Sequence, residues 1–182
     1  MRRRALLPVA VVLAVLLAAC SIAVVETPDP AAIPSGSLTP LGEEATGPIV
    51  ELGSGQAEGL GWRYSIYPAG EAWCTQLEMG SLSSAGCGDL LPAGDAAFGS
   101  VGASTLAPGD AQVIEGIASQ DTFTVWLIEN DSQRRFPAAL MSLEPAGLDG
   151  VAFLGIAPEG MTVTHAQALA RSGEVLETYE LP

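Results

Sequence analysis

Three thiols, one imidazole and a scatter of carboxylates are the groups in this chain that can do chemistry, and their spacing sorts them. Cys20 closes an apolar run near the N-terminus, whereas Cys74 and Cys87 lie within the body and enclose a loop of about 14 residues. An even pair of cysteines in an exported domain points to a disulfide. By loop entropy it is worth on the order of 3 kcal/mol, and it would pin the segment from Gly80 to Gly86 to the strand of Cys74. Two free thiols or a redox pair are the alternative, but the Cys-x-x-Cys spacing of redox pairs is absent. His165 is the single histidine and the one available base for a Ser-His-Asp hydrolase. No Gly-x-Ser-x-Gly elbow accompanies it, and it falls within a strand-like run, so no catalytic residue is assigned. Zinc takes three or four N/S ligands, which one histidine and two paired cysteines do not supply. The acids stand singly, with no Asp-x-Asp-x-Asp-Gly calcium loop and no grouping that marks a glycosidase carboxylate pair. No phosphate loop ends in Gly-Lys-Ser/Thr, and the chain contains no lysine. No metal or cofactor is expected. Arg134-Arg135 is the densest positive spot beyond the leader and reads as a solvated strand end. Trp62, Trp73 and Trp126 read as core residues rather than a ligand platform.

The elements that place these groups begin with a leader. Arg2, Arg3 and Arg4 precede Ala5 to Ala19, an uncharged apolar run of 15 residues. That is short of the roughly 20 apolar residues of a membrane span and fits the hydrophobic region of a secretory signal, whose positive end stays cytoplasmic. The run ends in Leu17-Ala18-Ala19-Cys20. This resembles the lipobox of bacterial lipoproteins at all four positions. The resemblance implies transfer of diacylglycerol to the Cys20 thiol and cleavage just before it, so residues 1–19 are a lipoprotein signal peptide. Small residues admit the peptidase, only a thiol forms the thioether, and two acyl chains give lasting anchorage where one is marginal. Ser21 carries no acidic retention signal, and Arg3-Arg4 lacks the rest of a twin-arginine motif, which favours the general export route. The expected location is the extracytoplasmic face of the cell membrane, held by palmitate-type acyl chains on Cys20.

With the leader removed, four arginines face all 21 acidic residues, a net charge near −17. Nucleic acid, a polyanion held by Lys and Arg, is excluded as a partner, and an anionic lipid surface would repel the body, leaving anchorage to the lipid. The acidity otherwise serves solubility or a cationic partner.

Residues 20–56 are rich in Pro, Gly, Ser, Thr and Glu, as in Glu26-Thr-Pro-Asp-Pro30. They read as a lipidated N-terminus and disordered tether, with a short strand near Ile49–Leu52 opening the fold. Residues 57–182 read as one domain. Its candidate strands are Trp62–Tyr67, Ala72–Met79, Ala96–Val101, Gln112–Ala118, Thr122–Ile128, Gln133–Leu143, Val151–Ile156, Met161–Leu169 and Glu174–Leu181, punctuated by Gly, Pro, Asn and Asp. Thr122–Ile128 is the clearest, with Phe123, Val125 and Leu127 on one face, and is expected at a central position. Asn130-Asp131-Ser132 and Arg171-Ser172-Gly173 read as hairpin turns. No helical stripe of ten residues occurs. This pattern predicts an all-β fold, a single antiparallel β-sandwich-like domain. Gly61-Trp62, Trp73-Cys74, Gly86-Cys87-Gly88 and the late hairpin from Ala168 to Val175 also resemble a group of uncharacterised secreted and lipoprotein domains of high-GC Gram-positive bacteria, a likeness that implies no activity. The functional expectation is a membrane-anchored, non-enzymatic interaction or binding module that contacts an envelope protein or the cell wall. A small-ligand or metal-ion binding lipoprotein is the alternative, and a hydrolase using His165 the weakest reading.

Overall fold

The computed structural model describes residues 32–80, 82–106, 111–129, 134–158 and 160–182. The leader, Cys20 and the turn at Asn130-Asp131-Ser132 lie outside them. The described residues form an all-β structure of twelve strands: β1 (Val50–Ala57), β2 (Leu60–Ala69), β3 (Ala72–Met79), β4 (Leu82–Gly88), β5 (Phe98–Leu106), β6 (Ala111–Ala118), β7 (Thr124–Ile128), β8 (Arg135–Pro137), β9 (Ala139–Ser142), β10 (Val151–Ile156), β11 (His165–Leu169) and β12 (Val175–Glu180). One turn of 3-10 helix, Glu144–Ala146, precedes β10. Among the described residues no helix is long and apolar enough to cross a membrane.

The strands pair antiparallel in three four-stranded sheets, ordered β1-β2-β3-β4 (sheet A), β5-β6-β10-β9 (sheet B) and β12-β11-β7-β8 (sheet C). Alternation along each strand explains how they stack. A strand places successive side chains on opposite faces, and β6 is apolar on both. Val113 and Ile117 pack with Tyr64, Ile66, Leu77 and Met79 of sheet A. Ile114 and Ala118 pack with Val125, Leu127, Ala166 and Ala168 of sheet C. β10 repeats the pattern, sending Ala152 and Leu154 toward sheet A and Phe153 toward sheet C. Sheet B is thus the middle layer of a three-layer stack with two cores. Gly155 makes the second interface close, because a Cβ there would meet Leu127 Cδ1 at 2.0 Å.

The all-β antiparallel expectation agrees with this architecture, and several details differ. Thr124–Ile128 sits inside its sheet but in an outer layer, with Val125 and Leu127 buried and the alternate residues half-buried. Phe123, expected on the same face as Val125 and Leu127, lies ahead of β7 and is 54% exposed. The stretch Gln133–Leu143 divides at Ala138, because Pro137 ends β8 and the chain passes from sheet C to sheet B.

The expected tether also ends earlier than its composition suggested. β1 occupies Val50–Ala57 and pairs along β2, and the chain before it lies across the outer face of sheet A. Gln76, fully buried, accepts from Leu41 N at 3.0 Å and donates to Thr39 O at 3.1 Å. Arg63 is ion-paired with Glu78 and donates to Gly36 O at 3.0 Å. Thr46 N donates to Pro68 O at 2.8 Å. Proline-rich backbone retains its carbonyls, and two buried polar side chains beneath it supply partners that a sheet edge would otherwise provide. From Gly36 onward this segment belongs to the folded body.

Candidate functional site

The cysteine pair is joined as a disulfide, Cys74–Cys87, between directly opposed residues of β3 and β4. Cys74 is buried under the outer face of sheet A, beside Tyr67 and Ala69, and Cys87 is exposed. This pairing is structural: it holds β4, a strand of Leu, Ser, Ala, Gly and Cys, against β3. His165 lies on β11, where Nδ1 and Thr164 Oγ1 are 2.9 Å apart. Its cross-strand neighbours are Ile128 and Glu180, and among the described residues no serine hydroxyl hydrogen-bonds to it. No group of three or more His, Cys, Asp or Glu gathers among the described residues in a way that could hold a metal ion. Trp62 and Trp73 are half-buried against the core between sheets A and B, as expected. Trp126 departs from expectation, belonging to neither core.

Two places combine unusual chemistry with access. The first is the outer face of sheet C. Alternation turns Thr124, Trp126 and Ile128 of β7 and His165, Gln167 and Leu169 of β11 away from sheet B. Register sets Thr178, Gln167, Trp126 and Pro137 in one cross-strand row, and Glu180, His165, Ile128 and Arg135 in the next. Four strands at about 4.8 Å spacing make this face roughly 15 Å wide. The Arg135 guanidinium lies 4.8 Å from the centroid of the Trp126 ring, an attraction of about 0.5–1 kcal/mol at an exposed site. At the end of the same sheet Arg171 stacks on Phe123 at 4.9 Å. The other two arginines of the described chain are neutralised, Arg63 by Glu78 and Arg134 by Glu129. Among the described residues, Arg135 and Arg171 therefore remain as cations held by aromatic rings rather than by carboxylates. The sequence offered one signal for this: Trp126 alternates with the inward Val125 and Leu127, which places it on the opposite face.

The second place is the open side of the interface between sheets A and B. A cleft of about 130 Å³ is lined by Leu77, Met79, Leu82 and four hydroxyl residues, Ser83, Ser84, Ser104 and Thr105. It is smaller than the roughly 300–1,000 Å³ of ordinary small-molecule sites. Near it Glu115 of β6 points toward sheet A, on the same face as Val113 and Ile117, and meets the buried Tyr64. Burial pushes the Glu115 carboxyl above its ordinary value, a rise that hydrogen bonding from Tyr64 opposes. The Tyr64 phenol is pushed up first by burial, then by the Glu115 charge. The two groups approach one another, yet Tyr64 Oη and Glu115 Oε2 are both buried without closing a well-formed hydrogen bond. No sequence pattern singled out Glu115, which occurs within an apolar run like any solvated strand residue.

A raised carboxyl has a defined pH consequence. The folded chain holds this proton more tightly than the unfolded chain. The stabilisation is complete below the unfolded value of about 4.5 and is lost as pH rises through the folded value. Glu115→Gln removes the ionisation while keeping the shape. Urea unfolding at pH 5 and pH 7 should show the variant losing less stability than the parent across that interval, because its neutral amide has no buried charge to develop. Parallel pH dependences in the two proteins would show that Glu115 does not titrate in the fold.

No protein-family model matches the chain, and neither a curated protein nor a solved structure shows similarity to it.

Proposed function

We propose that the protein is a non-enzymatic binding module, held on the extracytoplasmic face of the membrane by lipid on Cys20, and that it contacts an envelope partner through the outer face of sheet C. The anchor rests on the leader and on Leu17-Ala18-Ala19-Cys20. The contact rests on one observation, the guanidinium of Arg135 laid over Trp126 on the outer face of sheet C. Stacking fixes the planar fork before any partner arrives, which lowers the entropy lost on binding. The exposed N–H groups suit a carboxylate, and Gln167 and Thr178, hydrogen-bonded to each other at 3.2 Å, extend the polar surface beside it. A body of net charge near −17 restricts the partner to compact anionic groups at short range, since exposed charges are screened beyond roughly 8 Å at physiological salt.

The test is photo-crosslinking in intact cells from an unnatural residue at exposed Thr178. A discrete adduct is expected, and Arg135→Glu should reduce it at least tenfold, with Trp126→Ala weakening it by a smaller factor. An adduct pattern indifferent to Arg135→Glu, or matched by a probe placed on β4, would refute the assignment of this face.

A further inference from the structure

Among the described residues the three sheets leave six edge strands, β1, β4, β5, β8, β9 and β12. Exposed edges offer unpaired N–H and C=O groups, and proteins ordinarily blunt them with charge, proline, brevity or a bulge. Four of these edges follow that rule. β1 carries Glu51 and a register shift, β8 has three residues and Pro137, β9 has four residues, and β12 carries Glu177 and Glu180. β4 and β5 do not. In a chain with 21 acidic residues, these strands of seven and nine residues contain no charge and no proline. Both border the cleft described above. The irregularity of β5 lies between Phe98 and Ser100, so its pairing with β6 is regular from Val101 onward, and Gly102 to Thr105 are exposed.

The side-chain order along β5 adds specificity. Gly102 pairs with Glu115 and Ser104 with Val113, so both face sheet A. Ser104 lines the cleft. Gly102 has no side chain to screen Glu115: a Cβ there would lie 3.8 Å from Glu115 Cγ. The carboxyl with an unsatisfied oxygen, and the fully buried Tyr64 hydroxyl beside it, are thus flanked by an open position on the edge strand.

We infer that the free edge of β5 accepts an extended peptide of a partner protein as a fifth strand of sheet B, recognising an aliphatic residue and a basic residue two positions apart. Backbone pairing supplies affinity and alternate side chains supply specificity in this mode. The residue beside Ser104 enters the cleft, whose 130 Å³ approaches the volume of engineered cavities that take up benzene. The residue beside Gly102 falls on the same face, where a Lys or Arg reaches Glu115. A second copy of this chain is disfavoured as the occupant, because each copy brings a charge near −17 to the contact. This site is separate from the outer face of sheet C and does not depend on it.

The probe is a labelled octapeptide, Thr-Val-Thr-Leu-Thr-Lys-Thr-Val, titrated against the full chain in detergent and followed by fluorescence anisotropy and amide hydrogen exchange. Saturable binding is expected, with exchange slowed at residues 101–105. Replacing the peptide Lys with Glu should weaken binding at least tenfold, and so should Glu115→Gln in the protein. Ala103→Lys, a charge placed on an exposed edge position, tests the strand itself and should abolish slowed exchange there. The inference is overturned by absence of saturable binding, by equal affinity for the Lys and Glu peptides, by protection falling on β4 or β12 instead, or by slowed exchange at 101–105 in a peptide-free dimer.

Discussion

Cys20→Ala is expected to abolish incorporation of labelled palmitate and to leave the leader uncut. The expected effect is large because the proposed anchor attaches through this thiol, and each buried methylene contributes about 0.8 kcal/mol to membrane binding. Neither a serine hydroxyl nor the acidic body can replace it: the body lacks lysine and keeps only four arginines beyond the leader. Pulse labelling followed by immunoprecipitation reads both consequences, a missing acyl signal and a slower-migrating precursor. Acyl label retained in Cys20→Ala would place the modification elsewhere and remove the basis for the anchor.

The second large effect concerns Cys74 and Cys87. Replacing both with alanine should cost about 3 kcal/mol by loop entropy, which lowers the melting temperature by roughly 6–12 °C for a chain of this size. The reason lies in the strand they hold. β4 contains two glycines, two serines and an alanine, with only Leu82 as a large apolar residue, and such residues have weak strand preference. Its pairing with β3 runs from Met79↔Leu82 to Trp73↔Gly88, and Cys74↔Cys87 lies near the far end of that ladder. Without the bridge, the tight turn at Gly80 remains to keep β4 in register. Differential scanning calorimetry of the double variant checks this, and a shift below 2 °C would mean that the ladder alone secures β4.

The sequence showed most of the strands because their alternation is strong. Val125 and Leu127 share one face by alternation in the sequence, and both are buried. β4 escaped notice for the reason just given: its small residues carry no pattern, and the strand exists through β3 and the disulfide. The layering was hidden for a different cause. A strand apolar on both faces shows that it is covered twice but not by what, and Gln112–Ala118 and Thr122–Ile128 look alike in that respect. Only the pairing of β6 with β5 and β10 identifies it as the middle layer. Buried polar groups were the least legible. Gln76 and Arg63 satisfy carbonyls of the proline-rich segment, and Glu115 faces Tyr64 across a sheet interface, 51 positions away in the chain. These relations join residues that share no local motif. The same holds for Arg135 over Trp126, which come together because β8 pairs beside β7.

The most direct measurement is mass spectrometry of the N-terminal peptide released from the membrane-extracted protein by cleavage after glutamate. The expected product is a heptapeptide, Cys20-Ser-Ile-Ala-Val-Val-Glu26, carrying a diacylglyceryl thioether on its first residue. A peptide that begins at Met1, or one that begins at an unmodified Cys20, would contradict a lipid-held module and leave the binding surfaces of the domain without their assigned place in the cell.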